Sequence, residues 1–364
     1  MTRKPEGELR RGWTTGACAT AATKAAYTAL LTGSFPDPVT ITLPKGEQPA
    51  FALAREALGD GRASAAIVKD AGDDPDVTHL ALVGATLRLA EAGSGIVFKA
   101  GPGVGTVTKP GLPLDVGEPA INPVPRQMMQ AVIAEVAEAH GAPGDVEIEI
   151  SVDGGEDLAA KTWNPRLGIL GGLSILGTTG VVVPFSCSAW IHSIHRGIDV
   201  ARANKLLHVA ACTGSTSEAA VQRLYGLPEI ALLDMGDFAG GLLKYLRKHP
   251  LPRLTLGGGF GKFCKLAAGH LDLHSGRSQV DFDLLAETLK SLGAAKDLID
   301  ESRRANTAKQ VLDMASAAGL PLADSIAEGA RDRALAVLEG ETEVEVLIFD
   351  RQGGLVGRAS GWAA

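Results

Sequence analysis

The chain has 364 residues, enough for two domains with their own cores, which excludes a peptide or a small disulfide-stapled module. Apolar residues make up 45% and charged residues 21%, the balance of a chain that folds, with glycine high at 45 residues and aromatics at only 4%. The formal charge of −7 leaves no basic field for nucleic acid, and so few aromatics argue against a base-stacking platform; any anionic ligand needs a local cluster of donors.

The N-terminus, MTRKPEGELRRGW, has no apolar segment of the secretory kind. The four cysteines, Cys18, Cys187, Cys212 and Cys264, form no CxxC pair, so neither a zinc knuckle nor a disulfide framework is expected and a cytoplasmic location is the default. From Thr14 an Ala-rich run ends at Gly33 and predicts a helix with a Thr cap and a glycine stop. PVTITLPKG and PAFALAREALG alternate around a turn and predict a hairpin. ASAAIVKDAGDDPDVTH predicts a strand entering an acidic loop. MMQAVIAEVAEAHG is amphipathic and stops at Gly141, and VEIEISVDGGEDLAAKTW predicts a period-2 strand, a Gly-Gly turn and a continuation.

Residues 167 to 191 carry no charge, long enough to cross a bilayer, but five glycines, a proline and five Ser/Thr predict buried loop, strand and helix start instead. Beyond Pro184 a short apolar run, a glycine loop and a helical run recur three times, the signature of parallel strands with crossover helices. A charged helical region (283 to 339, with breaks at Gly293, Gly319 and Gly329) and a final strand, VEVLIFD, follow. The expected fold class is an α+β N-terminal domain, 1–185, plus an α/β Rossmann-like C-terminal domain, 186–364, with a mostly parallel sheet.

Three loops after the second-half strands could form one nucleotide-type pocket: Thr213, Gly214, Ser215 and Thr216; Asp234 with Asp237; and Gly257, Gly258 and Gly259. Asp234 or Asp237 is placed to accept hydrogen bonds from a ribose. Neither GxGxxG nor GK[ST] is satisfied, and turn glycines with helix caps account for the same residues. Lys109 in GPGVGTVTKPG is followed by proline, which argues against a P-loop and leaves an extended backbone clamp open. His192 with His195, and His270 with His274, lack a metal-ligand pattern, and the Asp70, Asp73, Asp74 and Asp76 carboxylates read as solvated or backbone caps. No protein-bound metal is expected. Cys18 reads chiefly as a small buried residue.

Several long segments resemble one family: LRRGWTTGACATAA from Leu9, KDAGDDPD from Lys69, GVGTVTKPGLPLDVGEPAINPVPR from Gly103, NPRLGILGGLSILGTTGVV from Asn164, TGSTSE from Thr213 and GKFCKLAAGHLDLHS from Gly261. In this order they resemble the cobalt-precorrin-5B C(1)-methyltransferases of cobalamin biosynthesis, the CbiD family. The resemblance implies methyl transfer from S-adenosylmethionine as co-substrate to C1 of a polycarboxylated corrinoid. The loops are expected to place the cofactor site in the second half and the corrinoid-binding loops in the first, with the reaction in a cleft between. Residues of the matching segments that would hold the substrate are Arg11, Thr14, Thr15, Gly16, Lys24, Lys109, Arg126, Arg166, Thr178 and Thr179. Asp70, Asp272, His270 and Cys18 are candidates for a proton acceptor. No nucleic acid or membrane partner is expected, and homo-oligomer formation stays open. A phosphotransferase with an atypical glycine loop and a non-catalytic tetrapyrrole carrier remain as rival readings.

Overall fold

The computed structural model describes residues 7–362, so the first six residues of the polar N-terminus lie outside the described residues. The chain divides into two compact units with the boundary between Cys187 and Ser188.

The first unit is built on α1 (Thr15–Thr32), whose cap Thr14 accepts the Ala17 N–H at 3.2 Å and whose stop, Gly33, is left-handed at φ 79°. Its alanines are buried nearly all round, because small side chains let it lie close against both a sheet and a second helix. That sheet contains β1 (Arg55–Gly59), β2 (Arg62–Val68), β3 (Leu82–Leu89), β4 (Ile96–Ala100) and β5 (Val146–Val152), in the spatial order β1-β2-β3-β5-β4. All pairs are antiparallel except β4 with β5. The second helix, α2 (Pro123–His140), starts on proline before the amphipathic run read from the sequence. In β5 the residues Val146, Ile148, Ile150 and Val152 face the core while the glutamates between them face outward.

Two expectations are corrected here. Residues 39–40 do pair with 50–51, but Arg55–Gly59 turns the other way and pairs with β2 through Asp60-Gly61, both at positive φ as a two-residue hairpin turn requires. After β5 the chain does not continue as a strand: Gly154 leads into the short helix α3 (Gly155–Ala159).

The second unit starts with α4, which spans Cys187–Ala203. It continues through β6 (His208–Cys212), α5 (Ser215–Tyr225), β7 (Leu232–Asp234), α6 (Ala239–Lys248), β8 (Arg253–Gly259) and α7 (Phe260–Ala267). Helices α8 (Phe282–Ser291), α9 (Lys296–Arg303), α10 (Ala308–Ala317) and α11 (Leu322–Leu338) precede β9 (Glu343–Phe349) and β10 (Leu355–Ala359). The sheet order is β7-β6-β8-β9-β10, parallel except for the antiparallel edge strand β10, which the sequence reading left unassigned. The two faces are unequal. Val209 and Ala211 point into a large core shared with α4, α6, α7 and the later helices, whereas Ala210 and Cys212 point into a small one under α5. Gly329 is no break: it lies inside α11, where its missing side chain admits Ala267 of α7. Gly293 and Gly319 do fall between helices, and the third interruption is at 304–307, where Thr307 caps α10 by accepting the Gln310 N–H. Among the described residues no helix is long and apolar enough to cross a membrane, and the uncharged run resolves into two short ladders and the start of α4.

Candidate functional site

Strand order reverses beside β6: β7 lies on one side, β8 on the other, and their connecting helices α5 and α6 cover opposite faces. In open α/β sheets such a reversal opens a crevice at the carboxyl ends of the strands, the place where ligands bind. The register brings the predicted loops there together, with Cys212 opposite both Asp234 and Gly257.

The glycines of this crevice fall into two kinds. At Gly257 a Cβ would strike the Cys212 sulfur at 2.8 Å and the Val221 methyl at 2.9 Å, and at Gly258 it would strike Thr213, so both are needed for packing. Gly214 and Gly259 differ. A Cβ at either would meet nothing within 4 Å, and neither has a left-handed backbone: Gly214 is extended at φ 172° and Gly259 sits at φ −80°. Both occupy the N-cap positions of α5 and α7, with no side chain capping the amides of the first turn. Ser217 hydroxyl instead donates back to the Gly214 carbonyl at 2.8 Å.

Of the two acidic candidates, Asp234 is half-buried at the end of β7. Asp237 is buried and ion-paired with Lys262 of α7, while its carbonyl accepts the Leu273 N–H at 2.8 Å. Burial lowers the Lys262 pKa. Buried Lys265 donates to the Leu273 carbonyl at 3.0 Å, so the segment after α7 is tied back to this corner. In that segment Asp272 accepts from Arg277 at 2.8 Å and from the His274 N–H at 3.1 Å, and His270 is exposed.

In the first unit the acidic loop clasps the N-terminal segment. Arg10 forms a bidentate pair with Asp70, one arm at 2.9 Å, and the Arg10 N–H donates to Asp73 at 2.6 Å. Gly12 and Gly72 let the two segments cross backbone to backbone. Hydrogen bonding from Arg10 holds the Asp70 pKa down at about 2, which makes it a weak base. Asp74 accepts the Phe185 N–H at 2.7 Å, and Asp76 takes the fully buried Lys69 ammonium at 2.6 Å, so these carboxylates are caps and struts. Cys18 is wholly buried with its thiol pushed up to about 12, which removes it as a proton acceptor.

Among the other first-unit candidates, Lys24 is a strut: it donates to the Thr40 carbonyl at 2.9 Å and to Glu135 at 2.7 Å. Arg126 is another, donating to the Ile121 carbonyl and Glu118 at 2.8 Å under the Phe98 ring. Thr14 caps α1, Thr15 exchanges hydrogen bonds with Leu176, Gly16 is pressed against Pro125, and Thr179 hydroxyl bonds Val181. Arg11 and Thr178 are exposed and Lys109 and Arg166 half-buried. A surface hollow of about 450 Å³ is lined by Glu8, Leu9, Arg10 and Arg11. In the long glycine loops of this unit Gly117 and Gly171 face open space at left-handed backbone positions, but three others do not. Gly103 faces the Val152 carbonyl and Gly155, Gly105 faces Ile169, and Gly172 faces Gly103, so their missing side chains are filled by the unit's own chain.

Sequence reasoning missed Arg10, Lys262 and Trp190. Arg10 and Lys262 lie within segments that carry the family resemblance, and Trp190 lies in no motif. Among the described residues no group of three or more His, Cys, Asp or Glu could hold a metal ion.

Fold and topology together define the class: a two-unit mixed α/β protein whose second unit carries a largely parallel sheet with a strand-order reversal. Comparison with known proteins gives the family. Two family models match, CbiD over residues 2–184 and the CbiD C-terminal domain over residues 272–360. A curated relative from Paramagnetospirillum magneticum, a cobalt-precorrin-5B C(1)-methyltransferase, is 64% identical over 97% of this chain and 99% of its own length. One of the same name from Brucella anthropi is 61% identical over 97% of this chain and 96% of its own. A crystal structure of the cobalamin biosynthesis protein (CbiD) from Archaeoglobus fulgidus aligns with 75% of this chain and 84% of that one, at 27% identity and a TM-score of 0.41. The chain belongs to the CbiD family, as its motifs suggested.

Proposed function

We propose that this protein methylates C1 of cobalt-precorrin-5B, using S-adenosylmethionine and releasing cobalt-precorrin-6A and S-adenosylhomocysteine. The reaction follows from membership of a family whose relatives, at 60% identity and above over nearly the full length, carry that activity in their names. We read the second unit as Rossmann-like and as the home of the methyl donor.

The observation that carries this placement is the pair Gly214 and Gly259. Backbone conformation does not demand glycine at either, packing does not demand it, and both border uncapped helix starts at the strand-order reversal. Glycine there keeps space for a ligand to approach the backbone. Asp234 ends β7 opposite Cys212, and we assign it to accept from the ribose hydroxyls. The donor supplies a methyl group on a sulfonium, and its displacement by carbon depends on alignment rather than on a side-chain nucleophile. In the first unit we assign the carboxylates of the substrate to Arg11, Lys109, Arg166 and Thr178, donors that lie in the matching segments. Of the four candidates for a proton acceptor, His270 and Asp272 remain.

Incubation with labelled S-adenosylmethionine and cobalt-precorrin-5B is expected to add one methyl group by mass spectrometry. Calorimetric titration with S-adenosylhomocysteine tests the donor site. Thr213→Ala, Gly214→Val and Asp234→Ala should each weaken binding, and unchanged affinity in all three would refute the placement. Corrinoid binding with no S-adenosylhomocysteine binding and no added methyl would instead make the protein a carrier.

A further inference from the structure

Trp190 lies on α4, which precedes β6 and contributes to none of the three predicted loops, yet its indole reaches one of them. Its Nε1–H donates to the Asp234 carbonyl at 3.0 Å. The N–H of the same peptide group, that of Met235, donates to the Cys212 carbonyl of β6 at 3.0 Å. Both ends of the peptide plane following Asp234 are thus tied, one to α4 and one to the neighbouring strand. A peptide plane held at both ends fixes ψ of Asp234 and with it the Cα–Cβ bond from which the carboxylate extends.

The next residue but one extends the grip. Gly236 is left-handed at φ 54°, and a Cβ on it would come within 3.2 Å of the indole Cζ2 and 3.4 Å of Cε2. The ring therefore lies directly on the loop backbone. Phe238 flanks it at 6.2 Å between ring centroids. The Gly236 N–H also donates to the Cys212 carbonyl, at 3.2 Å, so one carbonyl of β6 holds two successive amides under the indole. A loop of three residues held by an indole N–H above and a strand carbonyl below has little freedom to turn.

We propose that Trp190 is a positioning residue for ribose recognition: by its indole N–H it fixes Asp234 in the orientation that accepts the vicinal hydroxyls of the methyl donor. This rests on the reading of the crevice as the donor site. The role needs the N–H and not merely the bulk of the ring, which separates it from core packing.

The test compares S-adenosylhomocysteine with its 2′,3′-dideoxy analogue by calorimetry, since only the ribose-reading step distinguishes the two. Wild-type protein should prefer the hydroxylated ligand, and Asp234→Ala should erase that preference. Trp190→Phe keeps a ring over Gly236 and removes the donor. It should cut the preference by about 3- to 10-fold, the worth of one hydrogen bond. Trp190→Phe in the Asp234→Ala background should cause no further loss. If Trp190→Phe retains the full preference while Asp234→Ala erases it, Trp190 only packs and the proposal is wrong. If Asp234→Ala leaves both affinities unchanged, the donor site itself is misplaced. Should Trp190→Phe fail to fold, 3-benzothienylalanine incorporated at position 190 removes the donor within the same ring outline and gives the same readout.

Discussion

Leu80 combines two unfavourable features in one residue. It has a left-handed backbone at φ 65°, and its side chain is 66% exposed. The cause is local: Lys69 N–H donates to the Ala81 carbonyl at 2.9 Å and Leu80 N–H returns to the Lys69 carbonyl at 2.8 Å, a bulge at the mouth of the acidic loop in a position that suits glycine. Neither the backbone nor the side chain gains from leucine. Leu80→Gly is expected to stabilise the protein by about 1 kcal/mol, the left-handed penalty less the entropy of the new glycine. Urea denaturation measures it, and a loss of stability would mean that the leucine is held by contacts that compensate its conformation. The same scale explains which site residues were legible. Asp70, Asp73, Asp74 and Asp76 could be read as backbone caps because aspartates beside glycine and proline bond nearby amides. Lys24 could not be read as a strut, because its partner Glu135 lies 111 residues away; Arg126 reaches back only to Ile121 and Glu118, but across an irregular loop whose path no periodicity sets.

At the scale of elements, α4 and α6 meet through a column of rings. His195 stacks on Tyr245 at 3.9 Å, its Nε2 lies 3.2 Å from the Gly241 carbonyl, and Tyr245 hydroxyl donates to Asp199 at 2.8 Å. Across the sheet His208 sits between Tyr225 and Trp362, with Nε2 2.8 Å from the Thr255 hydroxyl. Burial lowers the pKa of both histidines. The unfolded chain protonates them near pH 6.5, whereas the folded chain holds them neutral to lower pH, so the unfolded state binds more protons as pH falls below that value. Stability should accordingly be flat above pH 7 and decline from about pH 6.5 downward. The carboxylates whose pKa is pulled down, Asp70, Asp76 and Glu147, act only at lower pH still. Melting temperatures between pH 7.5 and 5.5 should show this slope, and His195→Gln should make it shallower; an unaltered slope would exclude His195 as a source. Sequence periodicity located α1, β5 and the three strand-loop-helix repeats because each carries its own cap or alternation. It misplaced Arg55–Gly59, α3 and the break in the helical region, where the deciding contacts are non-local. Glu345 shows the limit: it alternates like a surface residue in β9, yet it is fully buried, accepting from Tyr225, from Thr255 at 3.2 Å and from Arg358 at 2.9 Å.

At the scale of the whole molecule, the glycine excess serves two different ends. In the first unit the glycines at 103, 105, 155 and 172 let strands and loops of that unit touch backbone to backbone. Composition could not separate these from ligand-facing glycines, because both are glycine in a loop, and only the neighbours of a missing Cβ distinguish them. In the second unit Gly214 and Gly259 face open space. Two consequences can be measured on the full chain. Gly103→Ala adds a Cβ against the Val152 carbonyl at a left-handed backbone position, so it should lower the melting temperature sharply, whereas Gly214→Ala should fold with an unchanged melting temperature and bind S-adenosylhomocysteine less tightly. A ligand at 100 times its dissociation constant adds about 2.7 kcal/mol to the state that binds it. Hydrogen exchange with saturating S-adenosylhomocysteine should therefore show new protection in residues 213–218, 234–238 and 257–262. Protection confined to 101–120 and 164–180 would move the methyl donor into the first unit, and with it the purpose of the two open glycines.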